Sequence, residues 1–136
     1  MNVVIIEDEE FAARRLERMI NEIDPDIQIV AKLESVAGSV EWLKNHNAPD
    51  LIFMDIHLED NLSFAIFDSI SISYPIVFTT ATDEKSTVIF RQNNLDYLLK
   101  PICGDDLRKI LVKYKDFEQR NWKPVDAMVF NNIKNK

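Results

Sequence analysis

The sequence predicts a doubly wound α/β fold whose five-stranded parallel sheet has the strand order 2-1-3-4-5. Five short apolar runs alternate along the 136 residues with five segments of helical periodicity. Strands joined by helices run parallel, and right-handed crossovers place helices on both faces of the sheet. The strands read as continuous apolar runs, which is typical of strands buried on both faces. The length suits one compact domain.

The first half of the chain supplies three strands and two helices. In the first helix, apolar residues from Phe11 to Ile23 recur every three to five positions, and an Asp-Pro-Asp sequence at 24–26 ends the helix. Ser35 is the candidate N-cap of the second helix. The predicted elements are strands at 2–6, 27–33 and 51–54 and helices at 11–23 and 35–47.

The second half continues the alternation. Thr82 or Asp83 is the candidate N-cap of the fourth helix. In that helix Val88, Ile89 and Phe90 are consecutive, so one is expected to be exposed, either for a partner or as an ordinary surface residue. The fifth helix has an apolar face of Leu107, Ile110, Leu111, Tyr114 and Phe117. The predicted elements are helices at 62–71, 83–94 and 105–120 and strands at 75–80 and 95–99.

The predicted domain covers residues 1–120, and residues 121–136 are expected to form a linker or tail. This last segment contains a proline, a polar end and no clear period, although "VDAMVF" could be a strand that begins a further module. No apolar run approaches the roughly 18 residues that span a membrane, and no signal peptide is recognisable. A single cysteine, Cys103, fits a reducing compartment. We therefore expect a cytoplasmic protein without membrane contact.

The acidic balance of the chain excludes one class of function. The formal net charge is −7 and the sequence pI is about 4.8. Binding of nucleic acid by this chain alone is therefore not expected, because phosphate contacts need a basic surface. The acidity fits a carboxylate site for a cation, and it equally fits a simple solubilising role.

Acids follow the two strands that flank the predicted switch point of the sheet. Glu7 and Asp8 follow the first strand, and Asp55 follows the third. Two unit charges about 4 Å apart repel by roughly 4 kcal/mol at an effective dielectric constant near 20. A cation relieves that repulsion, and Mg²⁺ prefers such oxygen ligands. Helix capping by these acids is the alternative.

The next two strands end in a hydroxyl and an ammonium group. The fourth strand ends in Thr79 and Thr80, and the fifth is followed by Lys100. Since the carboxyl ends of parallel strands share one edge, these groups are expected near the acids. A carboxylate acceptor, a cation, a hydroxyl and a lysine together stabilise a transferring phosphoryl group.

These motifs resemble the receiver domain of two-component response regulators. The matching stretches are "VVIIEDEE", "PDLIFMDIHLEDNLSF", "IVFTTATDE" and "LDYLLKPI", within residues 1 to about 118. The sequences of these stretches are similar to those of receiver domains that precede a LytTR-type DNA-binding domain. The resemblance implies the flavodoxin-like (βα)5 fold, Mg²⁺ as cofactor, and a phosphoprotein that catalyses its own phosphorylation and dephosphorylation rather than a conventional enzyme.

The resemblance also assigns the metal site. Asp55 corresponds to the phosphoacceptor and a Mg²⁺ ligand, and Asp8 to the carboxylate that holds Mg²⁺ directly. Glu7 stands where the family more often has aspartate, and its longer side chain is expected to act through a metal-bound water. His57 corresponds to the residue whose backbone carbonyl binds the metal.

The switch residues follow in the same way. Thr80 corresponds to the hydroxyl that binds a phosphoryl oxygen, and Lys100 to the lysine that pairs with the phosphoryl group. Tyr97 corresponds to an aromatic side chain that moves when Thr80 does. The surface of the fourth helix, fifth strand and fifth helix would then change, and a homodimer through it is expected.

Partners implied by the resemblance are a sensor histidine kinase or a phosphotransfer protein, with DNA contacted only through an output domain absent from this chain. "RRLER" in the first helix either docks the phosphodonor or forms a solvated basic face. Asn61 replaces a family glycine, which suggests a left-handed backbone at this position; asparagine is the best-tolerated substitute there, so the loop is expected to be preserved. The bond between Lys100 and Pro101 is often cis in the family, and Cys103 is either a redox-sensitive thiol or a plain loop residue.

Three rival functions follow from the same residues. A phosphatase that forms an aspartyl phosphate would carry a second aspartate where His57 stands. A flavodoxin-like cofactor module would need a phosphate loop after the first strand, where the "EDEE" sequence repels phosphate. A receiver-like interaction module that works without phosphorylation is the main alternative.

Overall fold

A computed structural model describes residues 1–81 and 84–115, and the side chains of residues 84–86 are outside this description. All five strands pair in parallel in the order β2-β1-β3-β4-β5, so the predicted fold is confirmed. The strands are β1 (Asn2–Ile6), β2 (Gln28–Leu33), β3 (Leu51–Asp55), β4 (Ile76–Thr80) and β5 (Tyr97–Leu99). The helices are α1 (Glu10–Ile23), α2 (Val36–Asn45), α3 (Ile66–Ser69), α4 (Glu84–Gln92) and α5 (Gly104–Lys115).

The three central strands build two cores, one on each face of the sheet. Alternate residues of β1, β3 and β4 face α1 and α5 on one side, and the intervening ones face α2, α3 and α4 on the other. Each fully buried aliphatic or aromatic side chain of this kind stabilises the fold by about 1.5–3 kcal/mol. The two cores hold the sheet rigid, and the carboxyl ends of the strands are thereby fixed relative to one another.

The strand β2 departs from the prediction of continuous burial. Its residues alternate between exposed and half-buried, and the side chain of Val30 is 41% exposed. The reason is its place at the edge of the sheet, where the flanking helices cover it only in part. The prediction of a strand buried on both faces was therefore wrong for β2.

Several element boundaries also differ from the prediction. The third helix is shorter than 62–71: a 3-10 turn at Ser63–Ala65 leads into α3, and Ile70 already has an extended backbone. The alternation of Ser and β-branched Ile that follows disfavours continued helix.

In α4, Val88 is exposed while Ile89 and Phe90 are buried, as expected. No described helix is long and apolar enough to cross a membrane.

Some predictions fall outside the described residues. These are the N-cap at Thr82 or Asp83, the place of Phe117 on the fifth helix, the end of the domain at residue 120, and the linker or tail at 121–136. The cap predicted for α2 is confirmed, since the Ser35 hydroxyl accepts a hydrogen bond from the Gly38 N–H.

Candidate functional site

Three carboxylates meet where β1 and β3 end. The register pairs Ile6 with Met54, so the next residues along the two strands, Glu7 and Asp55, are neighbours, and Asp8 follows. One carboxylate oxygen of each acid lies within 4.8 Å of those of the other two. Glu7 is 6% and Asp55 8% exposed, and Asp8 is half-buried. The sheet therefore gathers negative charge at a place with little water to screen it.

Lys100 brings an ammonium group into this cluster. It follows β5, and its N–H donates to the Thr80 carbonyl oxygen at 2.8 Å, which fixes its backbone against β4. Its Nζ contacts Glu7 Oε1 and lies 3.3 Å from Asp55 Oδ2. The side chain thus spans the end of β4, and Lys100 lies beside the acids as the sequence suggested.

Burial and charge act against each other at this site. Burial raises the pKa of Glu7, and a hydrogen bond with Asp55 raises it further, while Lys100 opposes both. Burial alone would lower the pKa of Lys100, but Glu7 and Asp55 outweigh it, and the pKa is raised. Three carboxylates against one ammonium leave an excess of negative charge, which a cation would neutralise.

The donor set fits Mg²⁺. Hard carboxylate oxygens are its preferred ligands, and at about 2.1 Å from the metal two coordinating oxygens lie roughly 3 to 4.2 Å apart in an octahedron. The three acids already approach that spacing. Lys100 pairs more closely with Glu7 than with Asp55, which fits a Glu7 that acts through a metal-bound water. Asp8 and Asp55, with the backbone of His57, remain the predicted direct ligands.

The loop after Asp55 folds into a compact turn. The Ser63 N–H donates to the Ile56 carbonyl oxygen at 2.7 Å, and the Leu58 N–H donates to that of Asn61 at 3.0 Å. His57 is exposed and pairs in a β-bridge with Leu62. This turn positions the His57 backbone beside the end of β3.

Asn61 does not have the predicted left-handed backbone. Among the described non-glycine residues, positive φ occurs at Asn94, with φ of 56°. Asn61 instead supports the turn through its side chain, whose Oδ1 accepts the Leu62 N–H at 2.8 Å. Asn94 follows α4, where the Leu95 N–H bonds back to the Phe90 carbonyl oxygen, as in a helix C-terminal cap.

The predicted switch residues lie on the neighbouring strands. Thr80 is buried, and its hydroxyl donates to the Ala81 carbonyl oxygen at 2.8 Å. Tyr97 is half-buried and packs against Phe90 with ring centroids 5.6 Å apart. Tyr97 therefore lies against α4, and Thr80 lies at the carboxyl end of β4.

A small cavity of about 160 Å³ opens beside Lys100, between α1 and the loop after β5. The peptide bond between Lys100 and Pro101 is cis, and Arg15 donates to the Ile102 carbonyl oxygen at 3.3 Å. Phe11 lines this cavity and is 79% exposed, so its predicted place on the buried stripe of the helix was wrong. It lies in the first turn of α1, beyond the cover of the sheet. Cys103 is exposed in the same loop.

One contact near the site was missed by sequence reasoning. Asp60, at the tip of the loop after Asp55, binds the first turn of α2. The two segments are separated by more than twenty residues, and no sequence pattern links them. An acid close after the predicted phosphoacceptor was the signal that could have drawn attention to it.

Fold and site together define an α/β domain with an acidic ligand site at the switch point of its sheet. Comparison with known proteins gives the family. Residues 3–112 match the model of the response regulator receiver domain. The chain belongs to that family, and the sequence resemblance is confirmed.

Curated relatives and a solved structure agree with this assignment. The chain is 32% identical over 117 residues to the sensory transduction protein LytT of Enterococcus faecalis, over 83% of this chain and 47% of LytT. It is 30% identical over 121 residues to the transcriptional regulatory protein CitT of Bacillus subtilis, over 85% of this chain and 53% of CitT. It thus spans about half the length of these relatives. The response regulatory domain of mrkE from Klebsiella pneumoniae superimposes with a TM-score of 0.71 at 30% identity, covering 85% of this chain and 95% of that one.

Proposed function

We propose that this domain accepts a phosphoryl group on Asp55, in a Mg²⁺-dependent reaction, from a sensor histidine kinase or a phosphotransfer protein. The observation that carries the proposal is the convergence of Glu7, Asp8, Asp55 and Lys100 at one edge of the sheet. The domain catalyses its own phosphorylation and dephosphorylation and is not a conventional enzyme.

Each residue has a distinct part in the transfer. An Asp55 oxygen attacks the phosphorus of a phosphohistidine, the P–N bond breaks, and an acyl phosphate forms. Asp8, Asp55 and the His57 carbonyl would hold Mg²⁺ directly and Glu7 would hold it through water, and the bound ion would supply positive charge beside the phosphoryl oxygens. Lys100, 3.3 Å from Asp55, binds another of these oxygens. Attack of water on the acyl phosphate later releases phosphate and restores Asp55.

The acyl phosphate adds roughly one to two negative charges, to which Thr80 responds. The Thr80 hydroxyl leaves Ala81 for a phosphoryl oxygen, and Tyr97 turns into the space that Thr80 vacates. Movement at β4 and β5 then alters the face formed by α4, β5 and α5. Val88 of α4 and Leu99 of β5 are exposed on elements of this face, which supports its use in a homodimer.

The rest of the protein is proposed on the same basis. Because the chain spans about half of its relatives, we place a DNA-binding output domain of the LytTR type outside it. The net charge of −7 fits a domain that reaches DNA only through such a partner module. A cytoplasmic location follows, since kinase, phosphoryl donor and DNA are found there.

The proposal is tested by asking whether a small-molecule phosphoryl donor forms an acid-labile phosphoryl group on the protein. Incubation with acetyl phosphate and Mg²⁺ is expected to add the mass of one phosphoryl group, mapped to Asp55, and EDTA is expected to abolish the addition. Asp55→Asn, which keeps the shape of the side chain, is the matched control and is expected to remain unmodified. An unmodified wild-type protein would favour the interaction module that works without phosphorylation, and steady turnover of phosphomonoesters would favour a phosphatase.

A further inference from the structure

The loop that follows the phosphoacceptor is tied to α2 by a carboxylate that no part of the proposed transfer uses. Asp60 lies at the tip of this loop. Its Oδ1 accepts the Val36 N–H at 2.8 Å, and its Oδ2 accepts the Ala37 N–H at 3.2 Å. These N–H groups belong to the first turn of α2 and have no acceptor within their own helix. Asp60 therefore caps a helix that lies more than twenty residues earlier in the chain.

The same helix has a second, local cap. The Ser35 hydroxyl accepts the Gly38 N–H at 3.0 Å. A Cβ at Gly38 would lie 3.0 Å from that hydroxyl oxygen, so glycine allows the close approach. The first-turn N–H groups are thus shared between a serine of the helix's own segment and an aspartate of the phosphoacceptor loop. The two caps can therefore be compared within the same protein, because Asp60 belongs to the phosphoacceptor loop and Ser35 does not.

The two ends of the loop are held in different ways. Its base is closed by the hydrogen bond from the Ser63 N–H to the Ile56 carbonyl oxygen, next to Asp55. Its tip, at Asp60, is held by α2. The His57 backbone lies between these anchors, where the bridge of His57 with Leu62 and the hydrogen bond from the Leu58 N–H to the Asn61 carbonyl oxygen cross the loop. The placement of the His57 carbonyl therefore depends on both anchors.

We propose that Asp60 is a positioning residue for the metal site: by capping α2 it fixes the loop that presents the His57 carbonyl, so Mg²⁺ binds less tightly without it. The inference rests on the proposed function, because it assumes that the His57 carbonyl is a metal ligand. The carboxylate of Asp60 does not join the acidic cluster; both of its oxygens are directed to α2. Its effect on the metal passes through the backbone.

The coupling acts in both directions. Whatever free energy Asp60 adds to Mg²⁺ binding, Mg²⁺ adds to the contact between Asp60 and α2. Binding of the metal is therefore expected to slow hydrogen exchange at the amides of Val36 and Ala37, which do not touch the metal. A residue that only stabilises α2 would not produce this response.

Calorimetric titration of the chain with Mg²⁺ measures the first effect. Asp60→Ala is expected to weaken Mg²⁺ binding roughly tenfold, at the lower end of the loss seen when the outer partner of a metal ligand is removed. Asp60→Asn keeps one acceptor oxygen and is expected to fall between Asp60→Ala and the wild type. Urea unfolding of each variant establishes that it is folded at the temperature of the titration.

Two control variants separate the alternatives. Glu59→Gln removes the same charge from the same loop, and Ser35→Ala removes the other cap of α2. Each is expected to change Mg²⁺ affinity by less than about twofold, because an exposed charge is screened and a lost cap weakens the helix without moving the loop. Equal losses in Asp60→Ala and in either control would overturn the proposal.

Hydrogen exchange on the wild-type protein tests the second effect without any variant. Slower exchange of Val36 and Ala37 on addition of Mg²⁺ supports the proposal, and unchanged exchange at saturating Mg²⁺ overturns it. If the wild type and Asp60→Ala bind Mg²⁺ and accept a phosphoryl group equally well, the inference about Asp60 is wrong and the proposed function stands. If the wild-type protein does not bind Mg²⁺, both the proposed function and the inference about Asp60 are wrong.

Discussion

At the scale of single residues, the site is governed by one lysine among three acids. Lys100 contacts Glu7 and lies 3.3 Å from Asp55, and its position at the end of β5 follows from its backbone bond to Thr80. Its ammonium group both offsets the carboxylates and repels a divalent cation. These two effects have opposite consequences for metal binding and for phosphoryl transfer.

Lys100→Met separates the two effects. Mg²⁺ affinity is expected to rise severalfold because a competing positive charge is removed. The rate of phosphorylation by acetyl phosphate is expected to fall roughly a hundredfold, the usual cost of losing one group that stabilises developing charge. Titration calorimetry and the initial rate of phosphoryl uptake measure these quantities.

The control for this change is Lys113→Met, which removes an equal charge from α5, where Lys113 pairs with Asp96 away from the site. It is expected to leave both quantities unchanged. Weaker Mg²⁺ binding in Lys100→Met than in the wild type would contradict the described balance of charges.

At the scale of elements, α5 is fastened to the start of β5 by a buried phenol. The Tyr114 hydroxyl donates to Asp96 Oδ2, one residue before β5. Burial raises the pKa of Tyr114 well above its usual value of 10.0, and the neighbouring Asp96 carboxylate raises it further. The folded state thus keeps Tyr114 neutral at a pH where an unfolded chain would ionise it.

Tyr114→Phe is expected to lower the free energy of unfolding by about 1 to 2 kcal/mol at neutral pH, because one hydrogen bond to a charged group is lost. The contribution of Tyr114 is complete below pH 10 and declines above it, since only the unfolded state releases the proton there. The difference between wild type and variant should therefore shrink as the pH rises above 10. Urea unfolding across that range measures it, and a constant difference would contradict the assigned pKa shift.

The elements also show what the sequence could and could not predict. Residues at strand ends, such as Asp55 and Lys100, were identified because a continuous apolar run shows where a buried strand stops. The parallel topology then places the carboxyl ends of these strands at one edge of the sheet. Phe11 and the edge strand β2 were misjudged because their burial depends on which neighbour covers them, and Asn61 because its side chain, rather than a left-handed backbone, supports the turn. The contact of Asp60 with α2 was not predictable, since it joins two segments that no local pattern relates.

At the scale of the whole molecule, the proposed switch connects the carboxylate edge to the face formed by α4, β5 and α5. The exposed apolar side chains Val88 and Leu99 belong to α4 and β5, two elements of that face, and are 42% and 43% exposed. If the phosphorylated domain self-associates there, a charge on that face should oppose it.

Val88→Glu is expected to weaken self-association of the beryllofluoride-loaded protein by at least about tenfold, because a charge would be buried in an apolar contact. Phosphoryl uptake at Asp55 should be unchanged. Val30→Glu, at the exposed edge strand on the opposite side of the sheet, is the control and should associate like the wild type. Sedimentation velocity distinguishes the variants, and an undisturbed dimer in Val88→Glu would place the contact elsewhere.

The central claim is that the carboxyl ends of β1, β3 and β5 form a single Mg²⁺-dependent phosphoacceptor site. An amide NMR spectrum of the wild-type protein with beryllofluoride, recorded with and without Mg²⁺, tests it most directly. We expect new resonances for Asp8, Asp55, His57, Thr80 and Lys100 when both beryllofluoride and Mg²⁺ are present, and an unchanged spectrum when Mg²⁺ is left out. The same changes without Mg²⁺, or no change at these five residues in its presence, would contradict it.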